Sequence, residues 1–371
     1  MKPNTQNAKP RLVLFEWHHL GDAILSLPFL RGATECYRVV VFCTPQVAEL
    51  YRLCLPGIET VSWRPFWVKG GGKGNRSEGS VSFFGLIRKL RAFKADAAVS
   101  VWPDPRAHFF MALSGAKVRI GFALTNDNIY ASGLPWRRRE IFYGRLAARL
   151  LEAVSGGRWL TLGLEKKSSS QAHWEDWRQM SGALGAAWRD ALPWFDPAAE
   201  DLRGEMADFF QKAALSGKPV FLLHAGAGHP TKRWPVERFQ AVIHEWFTRG
   251  KIPLVIVDDG SGMIPVPEGP DQITCRPANL ALFLKILGRV DAVLCNDSLP
   301  SHAAAALGKK VFTIFGSAST AWFAPYKNEA HVVSSDVCPF RPCLGRCVQP
   351  SFICLEAVQP RDVIEKLKSG I

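Results

Sequence analysis

Twice along this chain, short apolar runs of strand length alternate with segments of helical period. That repeated alternation constrains the fold more than any other feature. Arg11–Trp17 reads as a buried strand, a helix interrupted by Pro28 runs from about Asp22 to Arg31, Val39–Cys43 is a strand, Val47–Leu55 a helix and Glu59–Trp63 a third strand. A Gly-rich basic stretch over 65–80 has no apolar period. Beyond it come helical Phe83–Phe93, strand Ala97–Trp102, helical Ala107–Leu113, strand Val118–Phe122 and a longer helix, Glu140–Val154. After a weakly patterned region, 155–217, the alternation restarts. Strands are expected at Pro219–His224, Ile252–Val257, Asp291–Cys295 and Val311–Phe315, with helices at Pro235–Thr248, Ala278–Leu287 and Ser301–Leu307. Pro235 suits the first helical position, where its missing N–H costs nothing.

Strands alternating with helices in this way pack as a parallel sheet covered by helices on both faces. Two such series, in a chain of 371 residues, imply two α/β domains with a cleft between them. The expected division is 1–200 and 201–371. A content of 47% hydrophobic and 21% charged residues excludes a disordered chain. The Trp residues at 174, 177, 188 and 194 read as core, or as cover for a domain junction.

The formal charge of +13 is uneven. Residues 1–200 hold 27 Lys/Arg against 17 Asp/Glu, and residues 201–371 hold 19 against 16. A basic first half suggests an anionic partner, either a phosphorylated glycolipid, a membrane surface or nucleic acid. Basic residues interleaved with aromatics in a recognisable RNA or DNA motif are lacking, which argues against nucleic acid. The polar start of the chain and the absence of an 18-residue apolar run argue against a signal peptide and a membrane span. The expectation is a cytoplasmic protein with, at most, peripheral contact to the inner membrane. In that compartment the nine cysteines would be thiols or metal ligands.

Ligands of open parallel sheets bind at the carboxyl ends of the strands, so the loops after residues 17, 224, 257, 295 and 315 are where chemistry is expected. Leu20-Gly21-Asp22 follows the first strand and opens a helix. Asp22 there is placed to act as a general base, or simply to offset the helix dipole. The segment 224–235 (HAGAGHPTKRWP) has small residues, Gly226 and Gly228 among them, that let backbone N–H groups approach an anion. Thr231 and Lys232 follow close to a helix start. Its spacing is neither a Walker A loop nor the dinucleotide glycine pattern. The segment 296–302 (NDSLPSH) places Asp297, Ser298 and His302 on a second loop at the same sheet edge, where helix N-terminal N–H groups favour a diphosphate.

These segments, with their order and spacing, resemble the heptosyltransferase family, glycosyltransferase family 9. The likeness is greatest at 20–30 (LGDAILSLPFL), 223–239 (LHAGAGHPTKRWPVERF) and 291–326. The resemblance implies a GT-B fold of two Rossmann-like lobes facing a central cleft. It implies inverting transfer of heptose, or a related sugar, from an ADP-activated donor to the inner core of lipopolysaccharide. Carried over, Asp22 is the catalytic base. Gly226, Gly228, Thr231, Lys232, Asp297, Ser298 and His302 hold the donor's diphosphate side. No divalent metal is needed for catalysis if Lys232 and the helix N-terminus supply the stabilisation. The anionic acceptor would meet basic residues of the first half, with Arg64, Lys69, Arg106 and Arg137 as candidates, beside Lys73 and Arg138-Arg139.

The chain departs from the family pattern at three places. Glu16 stands where an Arg is usual, Ala225 where a Pro is usual, and Leu299 where a Gly is usual. A Leu is ill suited to a left-handed backbone. Cys338, Cys343, Cys347 and Cys354 form a further group within 17 residues. They are candidates for structural Zn or Fe, or are reduced thiols. Iron-binding cysteines occur in the branch of the family that glycosylates autotransporter proteins, so a protein acceptor is the alternative reading. A non-enzymatic anion- or nucleic-acid-binding protein is the second.

Overall fold

The computed structural model describes residues 9–64, 82–123, 159–166, 170–197 and 202–370. The chain divides into two compact units, Met1–Ala191 and Leu192–Ile371. The boundary therefore lies at 191/192 rather than at 200/201. Residues just after it pack with the second unit: the Trp194 N–H donates to Ala306 O at 2.7 Å, and its ring lies 4.9 Å from that of Tyr326.

The first unit contains β1 (Arg11–Glu16), α1 (Leu20–Leu25), α2 (Leu27–Cys36), β2 (Arg38–Cys43), α3 (Pro45–Cys54), β3 (Glu59–Ser62), α4 (Phe83–Phe93), β4 (Ala97–Ser100), α5 (Pro105–Leu113), β5 (Val118–Phe122), β6 (Leu162–Leu164) and α6 (His173–Leu184). Its sheet is parallel throughout, in the order β3-β2-β1-β4-β5-β6. The second unit contains α7 (Glu205–Ser216), β7 (Phe221–His224), a 3-10 turn (Pro230–Lys232), α8 (Val236–Val242) continued by a π turn (Ile243–Thr248), β8 (Leu254–Val257), β9 (Gln272–Cys275), α9 (Leu280–Arg289), β10 (Ala292–Asn296), α10 (Leu299–Ala306), β11 (Lys310–Phe315), α11 (Thr320–Phe323), β12 (Val332–Ser334), α12 (Ile353–Glu356) and α13 (Pro360–Gly370). A 3-10 turn, Glu329–His331, precedes β12. Its sheet, also parallel, runs β12-β11-β10-β7-β8-β9.

The central strands are apolar on both faces because helices cover both. Val13, Phe15, Val40, Phe42 and Ala98 enter the first core with Leu86, Leu90, Phe110 and Met111. Phe221, Leu223, Leu254, Ile256, Leu294, Phe312 and Ile314 form the second with Trp234, Phe239 and Val363. Trp177 packs on Phe29 at 5.4 Å in the first unit, so Trp177 and Trp194 serve as core residues of separate units.

Pro28 stands in the first turn of α2, where it is tolerated, and the expected single helix is two, joined at Ser26. Ser26 Oγ is hydrogen-bonded to Ala23 O at 2.7 Å and to Tyr51 Oη at 2.8 Å. Pro235 occupies the N-cap position, so the helix after it begins one residue later than expected, at Val236. The weakly patterned region holds α6 and α7. In α6 a buried polar knot obscured the period: Asp176 accepts from Lys166 Nζ (2.7 Å) and Gln171 Nε2 (2.7 Å), with His173 Nδ1 at 3.0 Å. The expected loop 65–80 and helix 140–154 lie outside the described residues.

Candidate active site

In the second sheet, β8 and β9 lie to one side of β7, while β10, β11 and β12 lie to the other. The crevice between the β7 and β10 loops is therefore the topological switch point, where ligands of such sheets bind. Both donor segments read from the sequence emerge there.

Buried polar ties hold these loops together. Asn296, fully buried at the end of β10, donates from Nδ2 to Ala225 O at 2.6 Å and accepts from the Trp234 N–H at 3.2 Å. Thr231 Oγ1 is 2.7 Å from Ser317 Oγ, just past β11, and 2.8 Å from His229 Nδ1. The Thr231 hydroxyl is thus already engaged as a tie between loops. Lys232 Nζ lies 2.7 Å from Asp297 Oδ2; the carboxylate is 3% exposed and the lysine side chain 31%. This places a cation at the switch point with its partner beneath it and one side open to water.

The helix after β10 adds a second source of positive potential. Ser298 is the N-cap of α10 but its side chain does not cap the helix; its hydroxyl donates back to Asn296 O at 3.1 Å. Partial positive charge at the helix start is consequently not offset by that hydroxyl. His302 is buried in the same helix. Leu299 is the first residue of α10 and does not adopt a left-handed φ, so replacing Gly by Leu at this position imposes no backbone strain.

A third pair lies on the neighbouring strand ends. His224 Nε2, at the end of β7, is 3.4 Å from Asp259 Oδ2, just past β8. The hydrogen bond from His224, helped by the hydroxyl and N–H of Ser261, holds the Asp259 carboxyl well below the usual carboxylate range against the opposing effect of burial. Gly226 faces this carboxylate: a Cβ there would stand 1.9 Å from Asp259 Oδ2. A Cβ at Gly226 would displace that carboxylate from His224, whereas a Cβ on Gly228 would meet nothing within 4 Å. Asp259, Asn296 and Ser317 were not singled out from sequence. Their signal was position: each terminates or follows an apolar strand on the ligand-binding edge.

In the first unit Asp22 is buried in the first turn of α1, and its Oδ2 accepts the His19 N–H at 3.3 Å. The carboxylate thus also offsets the dipole of its own helix. Arg106 is half-exposed and its Nε donates to Asp104 Oδ1 at 2.8 Å. Arg64 follows β3 and is partly buried. Lys69, Lys73 and Arg137 to Arg139 lie outside the described residues.

Cys338, Cys343 and Cys354 are buried, and the Cys347 thiol donates to Gln349 O and Ser351 O at 3.8 Å each. Burial pushes the Cys354 thiol up, countered by Arg341 and reinforced by the other three thiols. Among the described residues no group of three or more His, Cys, Asp or Glu is disposed to hold a metal ion. Nor is any described helix long and apolar enough to cross a membrane.

Solved structures share this architecture. A glycosyl transferase family 9 protein of Veillonella parvula superposes with a TM-score of 0.63 at 16% identity, covering 99% of this chain and 98% of the other. The ADP-heptose LPS heptosyltransferase II of E. coli gives a TM-score of 0.59 at 17% identity, covering 97% and 98%. The E. coli heptosyltransferase WaaC with ADP gives 0.58 at 13% identity, covering 97% and 100%. At these identities the likeness establishes the fold. No curated protein sequence matches the chain. The sequence profile of glycosyltransferase family 9 (heptosyltransferase) matches residues 84–349, more than half of the chain and both loops of the β7–β10 crevice. The chain belongs to glycosyltransferase family 9, the heptosyltransferase family.

Proposed function

We propose that this glycosyltransferase moves a heptose from an ADP-activated donor to a hydroxyl of the lipopolysaccharide inner core, inverting the anomeric centre. The observation that carries the donor half is the Lys232–Asp297 pair beside the N-terminus of α10, at the switch point of the second sheet. A cation and a helix N-terminus together suit a diphosphate. The solved structures of heptosyltransferase II and of WaaC with ADP support heptose and adenine as the donor's two ends.

In this reading the acceptor oxygen loses its proton to Asp22 and attacks the anomeric carbon. The bond from that carbon to the diphosphate oxygen breaks, and ADP departs with the negative charge. Lys232 and the α10 N–H groups stabilise that charge as it develops. Basic side chains of the first unit, Arg64 and Arg106 among them, meet phosphates of the acceptor at the inner face of the membrane.

A nucleotide panel tests the donor assignment. A ligand that binds only the native state raises the melting midpoint. ADP at millimolar concentration is expected to raise it more than UDP or GDP. A greater shift with UDP, or none with any of the three, would refute the assignment.

A further inference from the structure

The first sheet has its own switch point, between β1 and β4, and the side chains gathered there are unusual. Glu16, the last residue of β1, is fully buried. Its Oε1 accepts the His18 N–H at 3.1 Å, while its Oε2 is buried without a hydrogen-bond partner. The His18 ring has Nδ1 3.5 Å from Glu16 Oε1 and lies stacked on the Trp102 indole, centroids 4.3 Å apart, just past β4. Trp102 Nε1 is likewise buried and unpartnered. Two residues on, Asp104 Oδ1 accepts from the Arg106 backbone N–H (2.9 Å) and Nε (2.8 Å), and Asp104 Oδ2 is buried with no partner.

Buried polar atoms in native proteins are almost always paired, and a carboxylate removed from water with an oxygen unmet is destabilising. Three such atoms, on the adjoining ends of two neighbouring strands, at the edge where ligands of these sheets bind, indicate a site whose partners arrive with the ligand. Two are carboxylate oxygens that accept only, and one is an indole N–H that donates only. With the Asp22 carboxylate on the adjacent helix, the inward-facing set attracts O–H donors, and its cation, Arg106, is tied to Asp104 Oδ1 at the rim.

We propose that this edge is the subsite for an uncharged, polyhydroxylated ring of the acceptor. Glu16 Oε2 and Asp104 Oδ2 accept from ring hydroxyls, and Trp102 Nε1 donates to a ring oxygen. His18 is a positioning residue that holds the indole flat. The inference rests on the glycosyltransferase reading and sharpens it: a neutral sugar ring enters the β1–β4 edge itself, and phosphates of the acceptor stay outside it, where the exposed side of Arg106 marks the rim.

The test is titration of the full chain with methyl α-D-mannopyranoside, and separately with mannose 6-phosphate, followed by saturation-transfer NMR. The wild type is expected to bind the neutral glycoside more tightly than the phosphate. Glu16→Gln and Asp104→Asn should each weaken glycoside binding about tenfold, the effect of losing a hydrogen bond to a charged group. Trp102→Phe keeps a ring under His18 and should weaken it by a smaller factor. Glu16→Gln should also melt no lower than wild type, because it removes a buried charge; a purely structural carboxylate would instead lower the midpoint.

The proposal is overturned if the wild type ignores the glycoside, if mannose 6-phosphate binds more tightly, or if folded Glu16→Gln binds within twofold of wild type. Should Glu16→Gln fail to fold, Asp104→Asn and Trp102→Phe decide the question by the same criterion. Calorimetry with ADP separates this inference from the donor assignment. ADP binding unchanged in variants that keep glycoside binding sinks this inference alone, and a wild type that takes the glycoside but not ADP sinks the donor assignment alone.

Discussion

Removing the ammonium of Lys232 should damage two properties at once, and a second substitution should separate them. Asp297 is 3% exposed and its Oδ2 lies 2.7 Å from Lys232 Nζ. Deleting one partner of a buried ion pair costs about 3–5 kcal/mol, because the other charge is left buried and unmet. The Lys232 side chain is 31% exposed, so water screens part of the interaction and the expectation falls to about 2 kcal/mol. In a unit of this size, that corresponds to a melting midpoint lower by roughly 4–8 °C in Lys232→Ala. Asp297→Asn combined with Lys232→Ala removes the stranded charge and should recover most of that loss. Neither variant should recover ADP binding, since the cation that meets the diphosphate is gone from both. Thermal melts and ADP calorimetry on the wild type, the two single variants and the double variant complete the cycle. If the double variant binds ADP like wild type, Lys232 is a structural partner of Asp297 and does not hold the donor. If Lys232→Ala melts like wild type, the pair contributes nothing to folding and the screening argument is wrong.

Asp22→Asn keeps an oxygen to accept the His19 N–H and should fold normally, yet its transfer rate should fall by at least about a hundredfold, the usual contribution of a general base. Near-wild-type turnover would remove Asp22 from the chemistry and leave it as a helix-dipole residue. His108, buried in α5, has its pKa pushed down from 6.5 to about 4 by burial, with the nearby Asp104 charge opposing. The native state therefore holds it neutral while the unfolded chain takes up a proton between those values. Stability from this group is complete above about pH 6.5 and is lost as pH falls toward 4. Urea unfolding at pH 7 and pH 4.5 should show a drop about 2 kcal/mol larger in wild type than in His108→Leu. Equal drops would contradict the burial argument.

Much of the fold was legible because parallel strands covered on both faces need continuous apolar runs, and those runs stand out between helical periods. β1, β2, β4, β7, β8, β10 and β11 were all visible in this way. The edge strands β6, β9 and β12 were not, since a half-covered edge is free to mix polar and apolar residues, as Gln272–Cys275 does. α6 escaped notice because His173 and Asp176 are buried as a hydrogen-bonded pair with Lys166 and Gln171, so polar residues occupy its inner face. The division at 191/192 was not legible because residues 192–197 carry no pattern of their own; they join the second unit through Trp194 and Pro197, which packs on Gly288.

The one-dimensional order of residues was enough to say that Lys232 and Asp297 follow strands, and therefore stand on a ligand-binding edge, because strand direction in a parallel sheet is set by chain direction. What it could not say is which strands are neighbours. The placement of β10 beside β7, and of β4 beside β1, is a long-range pairing, and only that pairing puts Lys232 against Asp297, Thr231 against Ser317, and the His18 ring on Trp102. A carboxylate such as Glu16 reads in sequence as one more charge; burial without a full set of donors is what gives it meaning, and burial is a property of the packed molecule.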